Sequence, residues 1–300
     1  MTAISSFFSS PAAAGSVELL FATPRTEGSG ATRSQALSTT AGASYSSGPS
    51  ASQRALARIV EILTLGAGDN GSDTTARASM SEQLGYITSG RGTAGADSLT
   101  ATGRAIYDLD AGDGADTLIL KSARISGISA GNGDDSVKGA GAFIGTIDGG
   151  DGRDDIQLKA SLALDIRGGT GDDSLKVSAD AILGLDGGEG NDSLTLEGNR
   201  IFATGGAGND TVRITTTGPD ALVEYGFSRG GGEDTLSSDG PLSLDLGGLS
   251  EADLAVTITG NTLTASISGS DDKISVTIDE TSSPTYSFTV RDGQTMLKIG

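Results

Sequence analysis

Apolar and polar residues alternate through the middle of the chain, and the alternation recurs in fixed register with an aspartate. Between residue 92 and about residue 240, apolar side chains stand two positions after each of these aspartates and four positions after most of them. The second-position residues are Leu99, Leu118, Val137, Ile156, Leu175, Leu194, Val212 and Leu236, and the fourth-position residues are Leu120, Leu158, Val177, Leu196 and Ile214. This pattern predicts a short strand with one buried face in each repeat.

A second group of apolar residues follows later in each repeat. The residues nine positions after the aspartate include Ile106, Ile125, Ile144, Ile182 and Ile201, and those twelve positions after it include Leu109, Ile128, Ile147, Ile166 and Leu185. They predict a second strand, so that each repeat forms one complete turn of chain.

The spacing of the aspartates defines the turn. The eight residues are Asp97, Asp116, Asp135, Asp154, Asp173, Asp192, Asp210 and Asp234, and their successive intervals are 19, 19, 19, 19, 19, 18 and 24 residues. Two short strands and two bends need about 18–20 residues when neighbouring turns lie about 4.8 Å apart. The repeats therefore predict an all-β protein, a right-handed parallel β-roll or β-solenoid with 19-residue turns and aliphatic ladders inside.

The segments around the repeats differ in character. Residues 1–48 are rich in Ser, Ala and Gly and predict a flexible N-terminus. Residues 49–91 predict a short capping helix and a connector: Leu56, Ile59, Val60 and Leu63 form one apolar helical stripe, which packing on a membrane or a partner would also explain. Residues 241–300 alternate again and predict a C-terminal β cap that covers the open sheet edge.

Composition narrows the chemistry. The 300 residues include 47 glycines and no Cys, His or Trp, which excludes disulfides, thiol catalysis and histidine ligands. A net charge of −19 argues against nucleic acid as a partner. The N-terminus lacks the basic and apolar regions of a Sec signal peptide, and no stretch approaches the roughly 20 apolar residues of a transmembrane segment.

The aspartates end glycine-rich loops whose sequences share one pattern. GGDGRDDIQ (149–157), GGTGDDSLK (168–176), GGEGNDSLT (187–195) and GGAGNDTVR (205–213) resemble the nonapeptide G-G-x-G-x-D-x-U-x of the repeats-in-toxin (RTX) family, where U is a large apolar residue. The resemblance implies Ca²⁺ ions held between the loops of neighbouring turns. The residue types suit this role, since glycines permit sharply turned backbone and calcium prefers six to eight oxygen ligands.

The resemblance also implies a ligand set. It comprises the side chains of the eight aspartates and the backbone carbonyls of Gly112, Asp113, Gly114, Gly131, Asn132, Gly133, Gly149, Asp151, Gly152, Gly168, Thr170, Gly171, Gly187, Glu189, Gly190, Gly205, Ala207 and Gly208. Asp110, Asp148 and Asp186 are additional candidates, for which solvated strand ends are the alternative interpretation.

The number of ions follows from the number of gaps between loops. Only one half of each turn carries the motif, so we predict calcium loops along one edge and a single column of ions. Eight loops leave seven gaps, and the last gap is irregular because its interval is 24 residues, so we predict about six ions. Six ions would change the net charge from −19 to −7. The competing explanation is that Gly and Asp simply suit turns, but it does not account for eight copies in register.

The resemblance implies a secreted calcium-binding protein of a Gram-negative bacterium that folds on calcium outside the cell. We expect a structural, surface-layer, matrix or adhesion role and no enzyme activity, with cell-surface polysaccharide or another matrix protein as partner. It also implies export by the type I secretion machinery, with a secretion signal within 241–300. One alternative is a secreted polysaccharide-modifying enzyme or hydrolase that uses the β-roll for folding and secretion, although residues 1–91 contain neither HExxH nor GxSxG. Another is an ice- or glycan-binding solenoid.

Overall fold

A computed structural model of the protein describes residues 83–87, 90–279 and 283–300, with side chains from residue 87 onward. The helix predicted within 51–65 and the flexible segment 1–48 lie outside these residues. The described ranges contain β-strands and one short 3-10 helix, Glu251–Asp253. Nowhere within them is a helix long and apolar enough to cross a membrane.

The described residues form nineteen strands, numbered β1 to β19 in chain order. The strands of the repeat region are β1 Gln83–Ile87, β2 Gly90–Arg91, β3 Ser98–Asp110, β4 Thr117–Asn132, β5 Ser136–Ala140, β6 Phe143–Asp151, β7 Asp155–Thr170, β8 Ser174–Glu189, β9 Ser193–Gly198, β10 Arg200–Ala207, β11 Thr211–Thr216, β12 Leu222–Gly226, β13 Glu233–Ser238 and β14 Leu242–Asp245. The remaining strands are β15 Leu254–Thr259, β16 Thr262–Ile267, β17 Lys273–Ile278, β18 Tyr286–Arg291 and β19 Gln294–Ile299.

Successive turns stack in parallel and in the register of the sequence repeat. Leu99 pairs with Leu118 across β3 and β4, and the same column continues through Val137 and Ile156. A second column joins Ile106 to Ile125. These residues are buried and form aliphatic ladders through the interior. The predicted parallel β-solenoid with 19-residue turns is therefore confirmed.

The strand that follows the second bend carries a β-bulge in each 19-residue turn. The bulged residue lies eleven positions after the aspartate and has a left-handed backbone, as at Thr146 (φ 52°) and Asp165 (φ 54°). Partner registers skip this residue between the turns. Because a bulge adds one residue to a strand, side chains three positions apart, such as Ile144 and Ile147, both point into the core.

The 18-residue interval between Asp192 and Asp210 is explained by the absence of this bulge residue. Where β10 stacks on β8, Phe202 pairs with Leu183 but the next residue, Ala203, pairs with Leu185. The bulge residue Gly184 therefore has no counterpart in β10. Losing it shortens the turn by one residue and leaves the buried columns in register.

The C-terminal strands close the solenoid. β17 pairs in parallel with β13, and β19 pairs antiparallel with β14. Both strands of the last turn thus receive a partner, as expected of a C-terminal β cap. At the other end, β1 pairs in parallel with β3, so stacked strands begin inside the segment that the sequence assigns to a connector.

Candidate metal centre

The glycine-rich loops stack directly on one another along one edge of the solenoid. The second and fourth loop residues have positive φ, for example 107° at Gly150 and 129° at Gly152. A Cβ atom at either position would collide with a backbone carbonyl of the preceding turn. Hydrogen bonds join the loops, such as that from the Gly133 N–H to the Asp151 carbonyl (2.6 Å). Glycine is therefore required both by backbone conformation and by this close approach.

The eight loop aspartates form a buried column. Each side chain is at most 4% exposed. One oxygen of each carboxylate from Asp116 onward accepts a hydrogen bond from the backbone N–H of the aspartate one turn earlier, as from Asp154 N–H to Asp173 Oδ1 (2.8 Å). Half of each carboxylate thus helps to hold adjacent turns together.

The other half of the carboxylate has no donor. The buried oxygens without a hydrogen-bond partner among the described residues are Asp97 Oδ1 and the Oδ2 atoms of Asp116, Asp135, Asp154, Asp173, Asp192 and Asp210. Asp154 Oδ2 lies over Gly149 beside the carbonyl oxygen of Gly168, since a Cβ on Gly149 would collide with both. Two acceptors face each other there, an arrangement that needs a proton or a cation for compensation.

Burial alters the acidity of the column. Desolvation raises the pKa of Asp116 and Asp173 to about 7, and that of Asp154 and Asp192 to about 6. Neighbouring carboxylates of the column raise the pKa values of these four groups further. The ionised column is therefore unfavourable unless positive charge is supplied.

Tyr225 changes the arrangement at the last turn. Its hydroxyl group accepts a hydrogen bond from the Gly205 N–H (2.9 Å) and donates one to Asp234 Oδ2 (3.3 Å). Asp272 in turn accepts hydrogen bonds from the N–H groups of Gly230 and Gly232, both at 3.0 Å. Asp210 is therefore the last aspartate of the column whose side chain has an oxygen without a hydrogen-bond partner. Tyr225 was not predicted as a site residue, and the 24-residue interval between Asp210 and Asp234 is the sequence signal that marks this turn as different.

The surroundings of the predicted carbonyl ligands depend on their position in the loop. The second-position carbonyl of Gly112 accepts the Asn132 N–H, and the fourth-position carbonyls, such as that of Gly133, lie against the fourth-position glycine of the next turn. The third-position carbonyls of Asn132, Asp151, Thr170, Glu189 and Ala207 each accept an N–H from the preceding turn. The first-position carbonyls, such as that of Gly168, lie beside the unpartnered carboxylate oxygens. A carbonyl oxygen has two lone pairs. The third-position carbonyls can therefore accept their hydrogen bond and still act as metal ligands.

The three additional candidates lie toward the C-terminal ends of the strands β3, β6 and β8. Asp110 forms an ion pair with Arg91 at 3.0 Å, and Asp148 is exposed. Asp186 is partly buried, and that burial raises its pKa. Their charges also raise the pKa of the nearby column members Asp116, Asp154 and Asp192.

Any cation in the column would depend mainly on backbone oxygens. Within the described residues, no group of three acidic side chains is placed to hold one ion. Each gap between adjacent loops instead offers single carboxylates together with backbone carbonyls. This donor set contains oxygen alone, which suits a hard divalent cation.

Comparisons with known proteins add no assignment: the chain matches no protein-family model, and no curated protein matches it significantly in sequence.

Proposed function

We propose that the aspartate column is a row of calcium sites and that the protein is a calcium-dependent β-roll of the RTX type. The observation that carries the proposal is the set of seven buried carboxylate oxygens without a donor, one in each turn from Asp97 to Asp210. Seven loops enclose six gaps, which agrees with about six ions. In the next gap the Tyr225 hydroxyl group donates to Asp234 Oδ2, so this carboxylate does not depend on an ion.

Calcium suits the column better than a proton or magnesium does. Protons would neutralise the carboxyl groups only below pH values of about 6–7, the raised pKa values of the column. Magnesium retains its water and requires near-octahedral geometry, whereas calcium accepts irregular sets of carbonyl and carboxylate oxygens. When bound, calcium would supply the positive charge that the buried acceptors lack.

The proposed ions couple folding to the environment. Each would join two successive turns, so the metal-free chain would have to bury a row of uncompensated carboxylates to fold. Calcium is abundant outside cells, and we therefore propose that the protein is secreted and folds there. The proposal includes export by the type I route and an origin in a Gram-negative bacterium. Both rest on the resemblance of loops such as 168–176 to the RTX nonapeptide.

A structural or adhesive role is favoured over catalysis. Carboxyl groups with strongly raised pKa values are typical of active sites in other proteins. Here the aspartates that carry them are at most 4% exposed. A substrate cannot reach them. Their placement between stacked turns fits stabilisation of a scaffold, and we propose a surface-layer, matrix or adhesion protein.

Calcium-dependent folding provides the test. The full chain should show β-type far-ultraviolet circular dichroism in millimolar calcium and lose it when EDTA is added. Isothermal titration of the refolding chain should give about six ions per molecule. Magnesium at the same concentration serves as the control and should not restore the spectrum.

Two results would contradict the proposal. One is an unchanged β spectrum and unchanged thermal unfolding in EDTA. The other is a stoichiometry of one or two ions, which would show that the column does not bind as a unit.

A further inference from the structure

Four of the six lysines of the chain lie on one outward face of the solenoid. Lys121, Lys138, Lys159 and Lys176 occupy four consecutive turns, one in each, and all are exposed. The strands β4, β5, β7 and β8 carry them. The sequence as a whole has 39 acidic residues and 20 basic ones, so this face is opposite in sign to the molecule.

The strand register fixes how the lysines are arranged. Lys138 and Lys176 share one column, separated by Gln157, and Lys121 and Lys159 share the next column, separated by Ala140. The four ammonium groups therefore alternate between two columns along the solenoid axis. Because adjacent turns are about 4.8 Å apart, the row extends over roughly 14 Å.

These charges are not explained by pairing inside the described part of the chain. None of the ion pairs found there includes any of the four lysines. Among the outward strand positions one, three and five residues after the loop aspartates of these four turns, the one acidic side chain is Asp155, which accepts hydrogen bonds from Gln157 Nε2 at 2.9 and 3.1 Å.

Folding does not require the arrangement either. Four like charges on consecutive turns repel one another, and lysines that prevent edge pairing belong on edge strands. Here each of the four strands is hydrogen bonded to neighbours on both sides. Ser or Thr, which fill equivalent positions in other turns, would serve the fold without repulsion.

We propose that this lysine face binds a linear anionic polysaccharide that carries one carboxylate per sugar. A shallow groove runs between the lysines, and Ile119, Ala140, Gln157 and Ser178 line it. Small apolar side chains and hydroxyl or amide groups suit sugar rings, and the regular row of ammonium groups suits carboxylates repeated along an extended chain. This inference goes beyond the proposed calcium function and does not depend on which cation fills the column.

Nucleic acid fits the face less well. The outward strand positions around the four lysines, one, three and five residues after each loop aspartate, hold no aromatic side chain on which bases could stack. The net charge of −19 also repels a polymer whose phosphates are densely spaced. A polymer of lower charge density is the better match to four lysines.

Binding of short oligouronates to the full chain tests the inference. The experiment uses isothermal titration at a fixed free calcium concentration, with circular dichroism confirming that every variant is folded. Replacing Lys138 and Lys176 by Gln should weaken binding roughly tenfold, since two exposed charge pairs are lost. The matched control is the double variant R104Q/R200Q, which removes the same charge from exposed arginines elsewhere and should bind within about twofold of the parent.

The inference would be overturned by equal weakening in both double variants, by equal binding of neutral dextran, or by tighter binding of single-stranded DNA than of oligouronate. Calcium bridging between the sugar and the acidic edge would also contradict it, and that mode would survive the K138Q/K176Q substitution. Loss of β structure without calcium would concern the calcium sites alone, because the binding comparison is made on folded protein.

Discussion

From Asp116 to Asp210, each loop aspartate performs two tasks with its two oxygens. One oxygen is a fixed acceptor for the backbone of the preceding turn, as in the 2.8 Å bond from Asp154 N–H to Asp173 Oδ1. The other oxygen lacks a donor, and in Asp173 it lies beside a carbonyl oxygen of the next turn. An asparagine could keep the first bond and donate an N–H in the second direction, so this substitution separates structural from ionic roles.

The substitution D173N should have opposite effects with and without calcium. In EDTA the variant should retain at least as much β structure as the parent, because a buried uncompensated charge is removed. In calcium its apparent affinity should fall at least about tenfold, since a charged ligand is lost. Circular dichroism in EDTA and calcium titration measure the two effects.

The control for this variant is D172N. Asp172 is exposed and its Oδ1 atom accepts a hydrogen bond from the Asn191 N–H (2.8 Å), which an asparagine oxygen can also accept. Calcium affinity should therefore be unchanged within about twofold. If D172N weakens calcium binding as much as D173N does, the buried column is not the binding site.

At the scale of the element, the β-bulge sets the phase of the second strand. The bulge residue is glycine at 127 and 184 but Thr146 and Asp165 in other turns, with φ near 50°. A left-handed backbone costs a β-branched residue about 1–2 kcal/mol. The fold retains the bulge because it brings two aliphatic side chains per turn into the core.

The variant T146G should therefore stabilise the protein. Thr146 is exposed, so little packing is lost, and relief of backbone strain should raise the free energy of unfolding by about 0.5–1 kcal/mol after the entropy cost of glycine. Urea unfolding in saturating calcium provides the measurement. At Thr195, an exposed strand residue without the positive φ, the same change should destabilise by a similar amount, and stabilisation at both sites would exclude strain relief as the cause.

For the whole molecule, charge and folding are linked through the buried column. The chain carries a net charge of −19, and its most buried carboxyl groups have pKa values raised from about 4 to about 6–7 by desolvation. A pKa raised in the folded state means that the folded protein binds more protons than the unfolded chain over this range. Stability from these groups is complete below about pH 4 and is lost as the pH rises through 6–7.

Metal-free protein should accordingly show more β structure at pH 4.5 than at pH 7.5, because protonation of the column favours the folded state by a few kcal/mol, at about 1.4 kcal/mol per unit of pKa shift. In millimolar calcium the folded protein should instead be more stable at pH 7.5, because protons compete with the ion for the carboxylates. Far-ultraviolet circular dichroism at the two pH values in EDTA measures the first trend, and urea unfolding at the same pH values in calcium measures the second. More β structure at pH 7.5 than at pH 4.5 in EDTA would mean that the carboxylates are already compensated within the folded chain.

Much of the architecture was accessible from sequence because the solenoid is built from local repeats. The 19-residue period, the inward columns through Leu118 and Ile125 and the single row of glycine loops were all predicted, since each depends on which residue type occurs at which offset. The positions of the eight aspartates in those loops were also fixed by the repeat. The ion itself was suggested by resemblance and stays a prediction.

Other features required the stacked structure. The bulge at Thr146 explains why apolar residues occur nine and twelve positions after each aspartate, a spacing that simple strand alternation does not produce. The role of Tyr225 depends on a 24-residue turn that folds its ring back under Gly205. The lysine row exists only because residues 17–21 positions apart in the chain lie side by side in adjacent turns.

The sequence by itself thus determined the turn, its buried faces and the chemistry of its loops, because these depend on short-range spacing. Tertiary structure alone decided which atoms meet between turns. It left one oxygen of each column aspartate from Asp97 to Asp210 buried without a donor, ended that row at Tyr225, and aligned four lysines on an otherwise acidic protein. These arrangements depend on register between turns, where a shift of one residue reverses which side chains face inward.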